Sequence, residues 1–137
     1  MLGLPLMATA APSPATRLDV DVAGLRSAKG NILICLTRDP RYFPDCSGDP
    51  AARTLTIAAT NVAAAHFTDV AHGDYALSLI HDENGNGKLD TRLGIPREGI
   101  GFSRNPRLMF GPPSFASVRF TIGGAALHEP VTVKYFL

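Results

Sequence analysis

Short runs in which apolar and polar residues alternate limit the fold of this chain more than any other feature. Arg17–Val22, Arg53–Ala59 and Asp74–Ile80 alternate in this way, and Gly, Pro or Asx residues stand between the runs. A period of two is the pattern of a half-buried β-strand. Asn31–Thr37 is apolar on both faces, which predicts a central strand covered on each side. The first and second strands are expected to form a hairpin across the Ser27–Gly30 turn.

Three further runs complete the expected set of strands. Ser114–Ile122 and Pro130–Leu137 alternate, whereas the alanines of Val62–Thr68 would also suit a helical turn, although its Val, Phe and Thr favour an edge strand. A chain of 137 residues with 45% hydrophobic content suits one domain. The prediction is therefore an all-β, antiparallel β-sandwich of six to seven strands over residues 17–137.

Residues 1–16 are expected to lie outside that domain. Met1–Pro12 is a short apolar run that closes on Ala8-Thr-Ala10, the small-x-small pattern of a signal-peptidase site. We interpret it as the end of a secretory signal cleaved near Ala10 or Ala11; the alternative is a disordered apolar tail. The run is too short to span a bilayer as a helix, which needs about 20 apolar residues. A periplasmic or secreted protein without a transmembrane segment is expected.

The chain contains two cysteines, Cys35 and Cys46. An even number of cysteines behind an export signal predicts a disulfide, which would hold the Pro-rich and Asp-rich segment 38–52 against the strand before it. Two reduced structural thiols are the alternative. The chain has no CxxC motif, so redox catalysis and a thiolate zinc site are not indicated.

Oxygen-bearing side chains recur at regular spacing after the fifth expected strand. Asp82, Asn84, Asn86 and Asp90 occupy positions one, three, five and nine of a calcium-type loop, and Gly87 occupies position six, where φ must be positive. The backbone carbonyl of Lys88 at position seven would supply a fifth oxygen. A calcium ion is the predicted cofactor.

The match to an EF-hand fails at position twelve. A bidentate Glu is needed there, and this chain has Leu93. Glu98 is the expected replacement, because the Gly94–Pro96 turn can return it to the loop, whereas Glu83 is expected to face outward. The competing interpretation is a tight turn at the two Asn-Gly pairs, with the acids as Asx caps and no metal. Zinc and copper are disfavoured because the donors are hard oxygens.

The stretch from 83 to 113 is expected to be one long ordered loop, because it lacks a strand pattern but is too apolar for disorder. Within it, Arg97, Phe102 and Arg104 are candidate ligand-binding residues. Guanidinium forks and an aromatic face could hold an anion or a sugar. The alternative is that the arginines only balance nearby acids and remain solvated.

Several function classes are not supported. The formal net charge is +1 and the basic residues are scattered, so no nucleic-acid partner is expected. The four histidines show no HExxH spacing, and neither a G-x-S-x-G elbow nor a phosphate-binding loop is present. His81, beside Asp82, is the remaining candidate for a general base.

Three blocks of sequence carry a resemblance to a known family. Gly73–Ala76, His81–Asp90 and Leu93–Ser103 occur in the order typical of an uncharacterised bacterial family, the domain of unknown function 2141, and the resemblance extends from about Leu18 to Leu137. It implies a small exported protein with an immunoglobulin-like or prealbumin-like sandwich. It implies no activity.

The expected function is that of a non-enzymatic exported module. A calcium ion would order the long loop, which presents a recognition surface to an envelope protein or glycan. One alternative is a small prealbumin-type hydrolase that uses His81 with the loop arginines in a concave pocket. Others are a glycan-binding or anion-binding module, and a structural part of a larger assembly.

Overall fold

The computed structural model describes Gly3 and residues 15–109 and 111–137. The predicted signal segment therefore lies, apart from Gly3, outside the described residues. The described part of the chain contains ten strands, one short α-helix and two 3-10 turns. The strands and the α-helix are β1 Ala15–Ala23, β2 Asn31–Thr37, β3 Arg53–Ala58, β4 His66–Ala71, β5 Gly73–Asp82, β6 Thr91–Arg92, β7 Ile95–Pro96, β8 Gly99–Phe102, α1 Phe115–Val118, β9 Phe120–Ile122 and β10 Leu127–Thr132. The 3-10 turns are Pro40–Tyr42 and Val62–Ala64. Among the described helices, none has the length and apolar character needed to cross a bilayer.

The strands form a sandwich, as the alternating runs predicted. The smaller sheet has the order β10-β1-β4, and the larger has the order β3-β2-β5-β8 with β9 paired to the start of β5. β6 and β7 form a separate hairpin. One apolar cluster joins the inner faces of both sheets and includes Leu18, Val20, Phe67, Val70 and Val131 of the smaller sheet and Ile32, Ile34, Leu36, Leu77 and Leu79 of the larger.

The larger sheet also has an outer face, which positions the candidate site. On β2, Ile32 and Ile34 point into the core, so Leu33 and Cys35 point the other way. On β5 the same alternation directs Leu79 inward and Ile80 outward. The apolar residues on both faces of β2 predicted that other parts of the chain would bury both faces. The inner face is buried, but the outer face is buried only in part.

The expected hairpin between the first two strands is wrong. β1 pairs antiparallel with β4 and parallel with β10, whereas β2 pairs with β3 and β5. The intervening segment instead carries the chain from one sheet to the other. Gly24, at φ +83°, starts that crossing beside the backbone of Val133. Local alternation cannot identify a partner strand at the other end of the chain.

Three strand boundaries also differ from expectation. Ser114 caps α1 by accepting a hydrogen bond from the Ser117 N–H, so a helical turn precedes β9 where one strand was expected. Residues Val62–Ala64 form a 3-10 turn before β4, which is the helical alternative for the alanine run. The last strand ends at Thr132, and beyond it Lys134 is bridged to Ile100.

Candidate functional site

β5 delivers Asp82 to the start of the predicted calcium loop. The side chain of Asp82 is 0% exposed, and its Oδ1 and Oδ2 accept hydrogen bonds from the N–H groups of Asn86 at 3.2 Å and Gly87 at 2.8 Å. Gly85 and Gly87 have φ values of +70° and +80°, which glycine adopts without steric cost. The backbone is thereby coiled around a buried carboxylate.

Asp90 closes the same turn from the other side. Its Oδ2 accepts from the Asn84 amide at 2.7 Å, and its Oδ1 accepts from the Asn86 amide at 2.8 Å. These hydrogen bonds, from Asn86 first and Asn84 second, lower the pKa of the Asp90 carboxyl below its ordinary value. The structure thus brings together four of the predicted ligand side chains around one turn.

Glu98 lies beside the loop but in a different role from the expected one. It is 5% exposed, and its Oε2 accepts from the Glu83 N–H at 2.7 Å while its Oε1 accepts from the Asp90 N–H at 3.1 Å. The carboxylate therefore clamps the backbone at both ends of the loop. Sequence spacing placed Glu98 near the loop but could not reveal that its partners are N–H groups.

The fit of the loop to a calcium ion is partial. Two carboxylates and the carbonyl of Lys88 are available, and the amides of Asn84 and Asn86 could present their oxygens by turning end for end. No three His, Cys, Asp or Glu side chains are arranged to hold a metal ion in the part of the chain described here. The hydrogen bonds are those of successive Asx turns, as the metal-free alternative requires. A hard cation would need several retained waters to complete its coordination by this donor set.

Glu83 does not face outward as expected. Its Oε1 accepts from Nε of Arg26 at 3.0 Å, and its Oε2 accepts from the Ser27 hydroxyl at 2.9 Å. Contact with the Arg26 guanidinium lowers the pKa of Glu83. Arg26 was missed in the sequence because its partners are far away along the chain.

His81 is placed where a general base could not work. It is 0% exposed, its Nε2 lies 2.8 Å from the Lys29 carbonyl oxygen, and its Nδ1 lies 2.8 Å from the Tyr135 hydroxyl. Because a carbonyl can only accept, Nε2 carries a proton and donates a hydrogen bond to Lys29. His81 does not line the groove described below, so the concave pocket required by the hydrolase alternative is not formed around it.

A groove of about 1290 Å³ lies on the outer face of the larger sheet. Leu33, Ile80 and Ile100 form the apolar centre of its floor on three adjacent strands, and Thr54, Thr56 and Ser78 add hydroxyl groups to the same face. Its walls come from the loop and the β6–β7 hairpin, from residues 44–47, and from residues 108–109 and 111–112. The sequence predicted one ordered loop without strands over residues 83–113, but this stretch contains β6, β7 and β8. It supplies walls of the groove and, through β8, one strand of the floor.

The predicted disulfide is confirmed and forms part of the opposite wall. Cys35 on β2 is joined to Cys46 in the segment after β2. Ser78 supports the same wall, since its hydroxyl donates to the Pro44 carbonyl at 2.8 Å. The disulfide therefore fixes the segment against the floor of the groove.

Arg97, Phe102 and Arg104 are not brought together. Phe102 lines the groove and packs edge-on against Phe43, with 5.8 Å between the ring centroids. The carbonyl of Arg97 accepts from Arg26, and the N–H of Arg104 donates to Glu129 at 2.9 Å. Neither arginine lines the groove, so the expected cradle for an anion or a sugar is not formed by this trio.

The groove floor was missed in the sequence, although a signal was present. A strand that is apolar on both faces needs a covering layer on each face. The smaller sheet covers the inner face of β2, whereas the segments on the outer face form only the walls of the groove and leave the strand partly uncovered. Four of the six exposed large hydrophobic side chains of the described residues line this groove: Leu93, Ile95, Met109 and Phe136.

Comparison with known proteins gave one finding. A family model described as "Uncharacterized protein conserved in bacteria (DUF2141)" matches residues 20–129. Searches of curated proteins and of solved structures gave no match.

Proposed function

The chain belongs to the DUF2141 family, and from that premise and the loop geometry we propose that it is a non-enzymatic exported module with a calcium-binding loop. The convergence of Asp82, Asn84, Asn86 and Asp90 on one turn carries the proposal. The ion orders the loop, and the ordered loop forms one wall of the groove that serves as the recognition surface.

Export is supported by the disulfide. Bonds of this kind persist in oxidising compartments such as the periplasm and the extracellular space. The small-x-small pattern at Ala8-Thr-Ala10 points the same way. We propose a periplasmic or secreted location on these two grounds.

The proposed ion acts on stability rather than on chemistry. With only two carboxylates, the site belongs with extracellular modules whose calcium Kd is roughly 10⁻⁴–10⁻³ M. Binding to the folded state alone stabilises it by RT ln(1 + [Ca]/Kd), about 1.4 kcal/mol at a tenfold excess over Kd. The ion replaces the amide contacts of Asp90 with direct oxygen contacts.

The lining of the groove supports an apolar partner. The sequence favoured an envelope protein or glycan, but a glycan would require many hydrogen-bonding groups to replace its water. The centre of the floor consists of the aliphatic side chains of Leu33, Ile80 and Ile100, and Thr54, Thr56 and Ser78 offer only three hydroxyl groups beside them. The recognition surface is therefore proposed to take an apolar segment or ligand.

Thermal unfolding with calcium and with chelator tests the metal. The melting temperature of the wild type should rise with millimolar calcium, and Asp90→Asn should remove that rise because it removes one of two carboxylates. Asp21→Asn is the matched control, since Asp21 is an exposed acid on the other sheet. If the wild-type melting curves in calcium and in chelator coincide, the proposed calcium site is refuted.

A further inference from the structure

We propose that two copies of the chain associate through β3, whose outer edge pairs antiparallel with the same strand of the second copy. The two larger sheets then continue into one another across a two-fold axis at Thr56. This interface goes beyond the proposed function, because it uses no residue of the calcium loop.

The two main sheets end at four outer strands, β10 and β4 of the smaller sheet and β3 and β8 of the larger. Outer strands carry main-chain groups that can pair with a further strand, so proteins usually cover them. β8 is covered by the segment after β10, since Ile100 and Lys134 exchange main-chain hydrogen bonds at 2.9 and 2.8 Å. At β10, Pro130 has no N–H group, and the side chain of Asn105 accepts from the Thr132 N–H at 2.8 Å.

β4 is covered by a side chain of the larger sheet. The Arg53 guanidinium donates to the carbonyl of Thr68 at 2.9 Å and to that of Asp69 at 3.4 Å. Asp69 also has a φ of +53°, which breaks the regular strand geometry that a further strand would need. Three of the four outer strands are thus closed within the chain.

β3 presents a regular edge on the side away from β2. The Ala59 N–H donates to the Gly30 carbonyl at 3.0 Å, which fixes the direction of the main-chain groups along this antiparallel pair. Because that direction alternates from residue to residue, Thr54, Thr56 and Ala58 point their N–H and carbonyl groups away from β2.

These outward groups are exposed and nearly all unpaired. Within the described part of the chain, the Ala58 carbonyl accepts from the Asn61 N–H at 2.9 Å, and the other outward groups form no hydrogen bond. All three residues that carry them are exposed. No proline and no charged side chain occurs from Thr54 to Thr60. β3 therefore lacks the devices that close the other three outer strands.

The sequence of β3 fits a second copy of itself. With the axis at Thr56, the middle of the three outward residues, each Thr56 faces its own copy and each Thr54 faces Ala58, so donors and acceptors match on both strands. Opposed threonines form a favourable cross-strand pair. On the other face, the partly buried Leu55 meets Ile57 of the second copy and gains apolar cover.

Charge does not oppose this association. The formal net charge of the chain is +1, so two copies repel each other little at long range. Arg53, at the start of β3, has its guanidinium held against β4. An unrelated strand would need to match both the hydroxyl face and the aliphatic face of β3, whereas a second copy matches both by symmetry.

The interface also extends the proposed recognition surface. Thr54, Leu55 and Thr56 line the groove of each copy. Joining the two strands therefore brings the two grooves together on one continuous sheet, with Thr56 at their boundary.

Sedimentation velocity of the full chain in chelator, from micromolar to millimolar concentrations, tests the association. The wild type should change from monomer to dimer as its concentration rises. Thr56→Pro removes the central outward N–H but no hydrogen bond to β2, so it should weaken the dimer about tenfold or more. A wild type that stays monomeric over the whole range would overturn the proposal.

Charged variants test the register without removing an N–H group. In Thr56→Lys and in Thr56→Glu each new charge faces its own copy, so either variant alone should dimerise about threefold or more weakly than wild type. An equal mixture of the two should dimerise more tightly than either alone. Thr121→Lys is the matched control, since Thr121 is an exposed threonine on β9, and it should dimerise like wild type. A mixture that gains nothing over the separate variants would contradict the two-fold pairing at Thr56.

Amide hydrogen exchange identifies the surface that pairs. The N–H groups of Thr54 and Thr56 should exchange quickly in dilute protein and more slowly at concentrations where the dimer forms. Dimerisation without slower exchange at these two amides would assign the interface to another surface and overturn the proposal.

Discussion

Gly30 shows how one residue without a side chain joins the β1–β2 connection to the loop. Its φ is +67°, and a Cβ built on it would collide with the carbonyl oxygen of Asp82. The turn before β2 can therefore lie directly on the backbone that starts the loop. The sequence predicted a turn at Ser27–Gly30, but the partner of that turn depends on the pairing of β2 with β5.

Gly30→Ala should lower the free energy of unfolding by about 3 kcal/mol, because it combines positive-φ strain with a backbone clash. Gly85→Ala is the matched control. Its φ is +70° and nothing lies within 4 Å of the added Cβ, so only the strain of roughly 1 kcal/mol should appear. Urea denaturation measures both, and equal losses would show that the contact with Asp82 is unimportant.

Glu129 should make stability depend on pH. It is 8% exposed, and burial raises the pKa of its carboxyl above the ordinary value of 4.5. A raised acid pKa stabilises the folded state below the unfolded pKa, and this contribution is lost as the pH rises through the folded pKa. Glu129→Gln keeps an acceptor for the Arg104 N–H.

The stability of Glu129→Gln relative to wild type should accordingly increase from about pH 4 to pH 7. Urea denaturation at several pH values measures the difference between the two proteins. A difference that is constant with pH, or largest in acid, would contradict the direction of the shift.

At the scale of elements, β2, β3 and β5 were predictable and β8 was not. The first three carry their pattern locally: β3 and β5 alternate, and β2 is apolar on both faces. β8 contains Gly99 and Gly101, which count against a strand when read alone. A Cβ at Gly101 would lie 2.6 Å from Val131, so the glycine is there to admit the C-terminal segment. That requirement comes from tertiary packing.

The candidate site likewise has a part that was predictable from local sequence and a part that was not. Asp82, Asn84, Asn86 and Asp90 were predictable, because a loop of nine residues brings its own members together. The clamp by Glu98 and the contact of Glu83 with Arg26 depend on segments distant in sequence. So does the groove, whose walls are three separate stretches.

Removal of the disulfide should destabilise the fold, because the unfolded chain then gains conformational entropy. Cys35 and Cys46 are 11 residues apart, and closing a loop of that length contributes about 3 kcal/mol. The Cys35→Ser, Cys46→Ser variant should therefore melt at a lower temperature than the oxidised wild type. Wild type under reducing conditions is the control and should match the variant; equal stability of oxidised and reduced wild type would contradict the prediction.

At the scale of the whole molecule, Arg26 connects segments that the sheets leave apart. Its guanidinium donates to the carbonyls of Leu137 at 2.6 Å and Arg97 at 3.1 Å, in addition to Glu83. It also lies 4.5 Å from the centre of the Tyr135 ring. One side chain thus holds the connection after β1, the loop and the end of the chain together.

Arg26→Met should lower the free energy of unfolding by about 1 kcal/mol, once the exposure of the side chain is allowed for. Arg17→Met is the control, because the Arg17 side chain hydrogen-bonds its near neighbour Asp19 on the same strand, and no measurable change is expected. Denaturant unfolding compares the two, and a loss in Arg17→Met as large as that in Arg26→Met would refute a connecting role for Arg26.

The parallel pairing of β1 with β10 has a consequence for how the molecule folds. β1 is the middle strand of the smaller sheet, and on one side its partner is the last strand of the chain. Such pairing gives a high contact order, and folding rates fall as contact order rises. Until Leu127–Thr132 has been synthesised, β1 lacks half of its hydrogen-bonding neighbours. The smaller sheet therefore cannot be completed until β10 has joined β1.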